Sequence, residues 1–125
     1  MENKIRVNEY VRTSEGYIGK YKKNGLVKHT CEIEDNEMSW ITGKYNIVKH
    51  SKNIIDLIEV GDYVNGDEIT EITQDTFVKG QINLWTDIEL RDVYGDYERL
   101  KYICDDIKSI ITKEQIKQIE FRIKE

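Results

Sequence analysis

Apolar and polar residues alternate over short stretches of the chain, which predicts β-strands joined by tight turns. The clearest alternation runs from Tyr17 to Lys22. A second run follows Asn24 and Gly25, two residues that tolerate positive φ and therefore predict a hairpin turn. This second run covers residues 26–33, and the same pattern predicts three more strands in the first half, over residues 5–12, 38–42 and 45–50.

The second half continues the strand pattern with two kinds of interruption. Thr112 and Gln115 have the spacing of a capping box, so one helical turn is expected to begin there, and Ser51 predicts another. Residues 86–99 are acidic and irregular, and we expect a loop or an extended hairpin. The strands predicted around these features cover residues 68–73, 76–79, 81–85, 100–104, 107–111 and 121–123.

Two segments of the first half return in the second half. Val7–Val11 (VNEYV) matches Val60–Val64 (VGDYV), and residues 51–59 match residues 112–120. The distance between the copies grows from 53 to 61 residues, so the second copy holds about eight additional residues. We place this insertion near residues 86–99, where the chain is most acidic.

Strands of this length, glycine turns and one helical turn before the last strand are typical of a small SH3-like barrel. We therefore predict an all-β fold of two tandem SH3-like barrels, residues 1–59 and residues 60–125, each with a short helical turn near its end. A unit of about 60 residues buries only about 60% of its unfolded surface. The two units are accordingly expected to pack together as one compact body.

Composition and charge limit the secondary structure and the cellular location that we expect. The chain has no Ala and no Pro but 19 Ile and 8 Tyr, which favours strands over helices. Its net charge is −5, yet residues 1–30 carry seven basic and three acidic residues. The chain shows no secretory signal, no apolar run of about 18 residues and no disulfide spacing. We expect a cytoplasmic protein with free thiols and no membrane association.

Basic and aromatic residues cluster around the predicted first hairpin. Cations beside Tyr rings suit phosphate contact combined with base stacking, so this cluster predicts a surface for a nucleotide or another phosphate-bearing ligand. The alternative is a hairpin whose lysines keep a sheet edge soluble. The candidate residues are Arg12, Tyr17, Lys20, Tyr21, Lys22, Lys23 and Lys28.

The acidic insertion offers a second set of candidates. Arg91 and Arg99 could clamp an anionic ligand, or they could neutralise the surrounding carboxylates. Trp40 and Trp85 are expected in a core or an interface, and either could stack a base if exposed. The carboxylates could instead imitate nucleic acid toward a nuclease, and they are Asp87, Glu89, Asp92, Asp96 and Glu98.

Metal binding and catalysis find little support in the sequence. His29 and Cys31 share a predicted strand face, and His50 and Cys104 could complete four zinc ligands, but the paired close spacings of structural zinc sites are missing. A buried His beside a free Cys is the expected arrangement. No Ser or Cys stands in a nucleophile motif. We expect no metal, no cofactor and no enzymatic activity.

Several segments resemble a group of small uncharacterised proteins of phages and prophages of Gram-positive bacteria. The resemblance rests on Val48–Gly66, Ile110–Gln115, Tyr10–Thr13 and Gly16–Lys20. The group carries no assigned activity, so the resemblance implies only a setting, that of a phage accessory protein inside a bacterium.

That setting leads to three functional hypotheses. The first is a counter-defence protein that sequesters a nucleotide immune signal, with ligand pockets between subunits of a homo-oligomer. The second is an anti-CRISPR-like inhibitor that binds a host nuclease through its acidic second half. The third is a DNA- or RNA-binding phage regulator, which a net charge of −5 disfavours.

Overall fold

The fold is all-β, as the alternation predicts. The computed structural model of the protein describes residues 4–119 and shows strands in three sheets, together with three 3-10 turns and one short helix, α1 (Lys113–Ile119). The predicted strand over 121–123 lies outside the described residues. The chain divides between Leu57 and Ile58 into two compact units.

The first unit is one five-stranded antiparallel sheet in the order β4-β3-β2-β1-β5. Its core contains Val11, Tyr21, Cys31 and Ile33, all buried, with Trp40 packed against them. A 3-10 turn over Ile54–Leu57 follows the last strand. The strands are β1 (Tyr10–Thr13), β2 (Ile18–Asn24), β3 (Thr30–Glu34), β4 (Ser39–Gly43) and β5 (Ile47–Ser51).

The two edges of this sheet are consecutive in the chain. Only the 3-10 turn Lys44–Asn46 separates β4 from β5, a span of about 10 Å at most, so the sheet must curve until its edges approach. At this point Asn46 Nδ2 donates to Thr42 Oγ1 at 3.2 Å. The edge strands do not pair with each other, and none of the sheets within residues 4–119 closes. The predicted SH3-like barrels are therefore not confirmed.

The second unit contains two three-stranded antiparallel sheets, in the orders β11-β6-β7 and β10-β9-β8. Tyr102 Oη on β10 donates a hydrogen bond to the Asp67 carboxylate on β7 at 2.5 Å, which ties the two sheets together and raises the pKa of Tyr102 to about 12. The strands are β6 (Tyr63–Val64), β7 (Asp67–Glu68), β8 (Glu71–Gln74), β9 (Ile82–Arg91), β10 (Tyr97–Tyr102) and β11 (Ile110–Ile111).

Turn chemistry explains where several predicted strand boundaries were wrong. The first hairpin does not turn tightly at Asn24 and Gly25; five residues, 25–29, connect β2 to β3, and His29 there has a φ of 65°. His29 is thus exposed in a loop and does not share a strand face with Cys31. Likewise residues 76–79 form a turn, because the Asp75 carboxylate accepts the amides of Phe77 and Val78.

The repeated pentapeptides adopt the same local structure. Asn8 (φ 71°) and Gly61 (φ 98°) occupy the third position of equivalent turns, a position that requires positive φ in a type II turn. In each copy the acidic residue that follows donates its amide to the carbonyl three residues earlier, at 3.0 Å for both Glu9 and Asp62.

The acidic side chains of the two copies also make equivalent contacts. Glu9 accepts the Arg6 amide at 2.8 Å through one oxygen, and its other oxygen lies 3.0 Å from His50 Nδ1. Asp62 accepts the Glu59 amide at 2.7 Å and the Lys113 amide at 2.9 Å. In both units one carboxylate therefore fixes the entry turn and holds the segment that closes the unit. We call this arrangement the acidic clamp.

The acidic clamp of the first unit predicts that the stability of this unit decreases at low pH. The hydrogen bond from His50 lowers the pKa of Glu9, and the Arg6 amide acts in the same direction. Because the folded pKa is lowered, the stabilisation is complete above the ordinary carboxyl pKa and is lost as pH falls through the lowered value. Glu9→Gln is expected to reduce the free energy of unfolding by about 1–2 kcal/mol at pH 7.

Thermal unfolding of wild type and Glu9→Gln between pH 7 and pH 2 measures this effect. The two proteins should differ at pH 7 and converge in acid. Glu37→Gln is the control, since Glu37 is exposed in the β3–β4 turn. An unchanged difference at every pH would show that the Glu9 charge does not stabilise the unit.

Candidate functional site

The basic hairpin of the first unit is largely neutralised by glutamates of the neighbouring strand. Lys20 lies opposite Glu34 in the β2–β3 ladder, and Lys23 lies opposite Glu32. Lys23 Nζ is 3.5 Å from Glu32 Oε2, and Lys22 Nζ is 3.9 Å from Glu34 Oε1. Opposite charges on directly facing residues stabilise a sheet modestly. This ladder favours the interpretation of a solvated sheet face.

Two of the candidate ligand residues are in the interior. The Arg12 side chain is 1% exposed and donates through Nη1 to the Leu57 carbonyl at 2.9 Å. Tyr21 is 6% exposed, and its hydroxyl donates to Asn24 Oδ1. Neither side chain presents a surface to a ligand. Arg12 and Tyr21 are therefore part of the interior of the first unit and not of an exposed phosphate surface.

The remaining candidates of this surface are dispersed. Tyr17 is half-exposed and packs edge-on against Trp40, with ring centroids 6.1 Å apart. Lys20 Nζ lies 5.3 Å from the centre of the Tyr10 ring. Lys28 is exposed in the loop between β2 and β3. Phosphate binding by Tyr17, Lys20, Lys22, Lys23 and Lys28 stays a prediction.

The acidic insertion of the second unit is an extended hairpin. β9 has ten residues, but β8 pairs only with its first four, residues 82–85. Beyond Trp85, β9 pairs with β10 alone, and the turn 92–96 joins the two strands. We call residues 86–100 the ribbon. A two-stranded ribbon is marginally stable without further contacts.

Arg99 is engaged at the base of the ribbon. Its Nη1 lies 2.8 Å from Glu71 Oε1, and its Nη2 lies 3.7 Å from Asp87 Oδ1. Its Nε donates to the Thr86 carbonyl at 3.0 Å, and the guanidinium lies 5.4 Å from the centre of the Trp85 ring. These contacts fix the orientation of β9 and β10. Arg99 therefore pairs with carboxylates, as the alternative to an anion clamp predicts, and anion binding by Arg99 stays a prediction.

Arg91 lies further out along the ribbon. Its guanidinium is 5.8 Å from the centre of the Tyr97 ring, the residue directly opposite in the ladder. Trp85 is half-buried, and its Nε1 donates to Thr73 Oγ1 at 2.8 Å. Binding of an anion by Arg91 stays a prediction, and the Trp85 indole is positioned by the sheet.

The ribbon concentrates exposed apolar side chains that the sequence analysis did not single out. Val93 and Tyr94, in the turn, are 92% and 88% exposed. Tyr97, Leu90 and Ile88 are also exposed. The signal was present in the sequence, since Ile88 and Leu90 alternate with charged residues and so continue the strand pattern of residues 82–85. The high charge of the segment masked that alternation.

The turn of the ribbon is acidic and is hydrogen-bonded by Asp92. The Asp92 carboxylate accepts the amides of Tyr94 and Asp96 at 2.8 Å and 2.9 Å, and the Asp92 amide donates to the Asp96 carbonyl. Val93 and Tyr94 therefore lie in a turn that the Asp92 carboxylate hydrogen-bonds. The exposed carboxylates that surround them are Glu89, Asp96 and Glu98.

Metal sites, membrane spans and relatives add no further candidate. Across residues 4–119, no group of three His, Cys, Asp or Glu side chains could hold a metal ion. No helix in that part of the chain has the length and apolar character to cross a membrane. Comparisons with family models, curated proteins and solved structures find no match to the chain. Support for a function therefore comes from the residues of the chain itself.

Proposed function

We propose that the chain is a non-enzymatic binding protein that recognises another protein through the tip of the ribbon. The observation that carries this proposal is the pair Val93 and Tyr94, which are almost fully exposed in a turn fixed by Asp92. Tyr is enriched among the residues that dominate binding energy in interfaces. A tip of this kind suits insertion into a pocket of the partner.

The acidic charge of the ribbon favours a partner with a basic surface. Between residues 86 and 99 five carboxylates stand against Arg91 and Arg99, and the whole chain carries −5. Complementary potentials favour a partner whose surface is basic around an apolar pocket. Together with the phage setting implied by the resemblance, this supports the inhibitor hypothesis, in which the partner is a host nuclease and the ribbon covers its nucleic-acid site.

Sequestration of a nucleotide signal receives less support from the geometry. Arg12 and Tyr21 are buried, and glutamates of β3 pair with Lys22 and Lys23 of β2. A nucleotide ligand would raise the melting temperature of the protein. A thermal-shift panel of linear and cyclic nucleotides separates the two proposals, since a ribbon-dependent protein binder should give no shift.

The tip proposal predicts a specific loss of partner binding. The double variant Val93→Ser, Tyr94→Ser removes the apolar side chains but keeps the Asp92 turn. We expect at least a hundredfold weaker capture of the partner, because truncation of central interface residues costs about 2–4 kcal/mol each. The measurement is affinity capture from a lysate of a Gram-positive bacterium, with the retained proteins quantified by mass spectrometry.

The chain provides a matched control at the other end of β9. Phe77 and Val78 are also adjacent, exposed and held by an Asp carboxylate, that of Asp75. The double variant Phe77→Ser, Val78→Ser should retain the partner as wild type does. In a separate experiment, double-stranded DNA should compete with the chain for the partner. A partner retained equally by both double variants would contradict a binding role of the ribbon tip.

A further inference from the structure

The β9 side of the ribbon has an open backbone edge. β8 begins at Glu71, opposite Trp85, so no strand of the described part of the chain pairs with this side of β9 between residues 87 and 91. No other strand within residues 4–119 pairs with this part of β9 on that side. Residues 87–91 are all exposed. An unpaired edge of this length is a template for strand addition.

The hydrogen-bonding pattern shows which backbone groups are available. In an antiparallel ladder, residues alternate between pairs that exchange hydrogen bonds and pairs that do not. The Asp92 amide donates to the Asp96 carbonyl, and Leu90 lies opposite Glu98 two residues further along the ladder. Glu89 and Arg91 fall on the alternate positions. Their amides and carbonyls therefore point away from β10, toward the vacant edge.

We infer that a second copy of this chain occupies the vacant edge, with the two β9 strands antiparallel about a two-fold axis at Leu90. In this register Glu89 of each copy faces Arg91 of the other. These residues are the ones whose backbone groups point to the edge, so each pair exchanges two hydrogen bonds. The two ion pairs are related by the symmetry, as an isologous interface requires.

The side chains of the edge favour this partner over an unrelated strand. Leu90 would lie against its own symmetry mate, beside the exposed Ile88 of each copy, so apolar surface would be covered on one face. On the other face, two antiparallel copies of Glu89-Leu90-Arg91 place the acidic Glu89 of each copy opposite the basic Arg91 of the other. An unrelated antiparallel strand would need an acidic residue two positions before a basic one to make the same pairs.

This inference is independent of the proposed function. Partner recognition uses Val93 and Tyr94 at the tip, whereas the hydrogen bonds and ion pairs of self-association use Glu89 and Arg91. A chain that dimerises but captures no partner would overturn the proposed function alone, and a monomer that captures its partner through the tip would overturn this inference alone.

Charge exchange tests the register directly. Sedimentation equilibrium of the wild-type chain, 14.8 kDa, should give a mass of two chains at micromolar concentration. Glu89→Arg and Arg91→Glu each place like charges opposite one another across the axis, and each should weaken the dimer at least tenfold. The double variant Glu89→Arg, Arg91→Glu restores opposite charges and should recover most of the dimer.

Two controls keep the outcome interpretable. Glu98→Arg changes a charge on β10, away from the vacant edge, and should leave the dimer intact. Thermal unfolding of every variant shows whether the fold persists. A wild-type chain that is monomeric up to about 100 μM, or a dimer that neither single reversal weakens, would overturn the inference.

Discussion

Replacing Asp62 with Asn is expected to lower the free energy of unfolding of the second unit by about 2–3 kcal/mol. Asp62 is fully buried, and its carboxylate accepts the amides of Glu59 and Lys113. An Asn side chain has one oxygen and one NH2 group, so it can accept one of these amides and directs donors at the other. A buried donor without an acceptor costs about the desolvation of that group.

The loss should extend to both segments that Asp62 holds. We expect the melting temperature of the second unit to fall by about 10–20 °C, the shift typical of this free-energy change in a small domain. Hydrogen exchange should accelerate at the amides of Glu59 and Lys113. Asp105→Asn is the control, because Asp105 is exposed. Equal stability of the Asp62 variant and the control would contradict the clamp.

The class of the fold could be predicted from sequence because alternation and turn residues are local signals. The Asn65-Gly66 turn, for example, connects β6 to β7 with φ of 54° and 87°, as expected of two residues that tolerate positive φ. The repeat was visible for the same reason. The structural role of the repeat was not visible in the sequence, since Glu9 contacts His50, and Asp62 contacts Lys113, only after the chain has folded.

Strand boundaries failed where side chains compete for backbone amides. Asp75 accepts the amides of Phe77 and Val78, which lowers the pKa of its carboxyl group and forms a turn where a strand was predicted over residues 76–79. The predicted barrels are not confirmed, for another reason. Closure depends on whether edge strands pair, and β4 and β5 approach each other without pairing.

The candidate site was only partly predictable. Counting lysines in β2 identified a basic segment, but Glu32 and Glu34 come from the next strand and lie opposite them only in the folded register. Burial of Arg12 depends on the turn that brings the Leu57 carbonyl over it. The ribbon was located as an insertion, and its exposed apolar residues were readable only after the pairing of β9 with β10 was known.

Excision of the ribbon is the most direct test of the account, in which the clamped repeats are scaffold and the ribbon binds the partner. Residues 88–98 are replaced by Asn-Gly, a dipeptide suited to a two-residue hairpin turn. Asp87 and Arg99 are retained, so the contacts of Arg99 with Glu71 and Trp85 remain possible. The measurements are thermal unfolding and partner capture on the same purified sample.

We expect cooperative unfolding with a melting temperature within about 5 °C of wild type, because exposed apolar residues of the ribbon contribute little burial. Capture of the partner should fall to background, and so should the dimer. A variant that does not fold would show that the ribbon is part of the scaffold. A folded variant that still captures the partner as wild type does would contradict the proposal that the ribbon binds the partner.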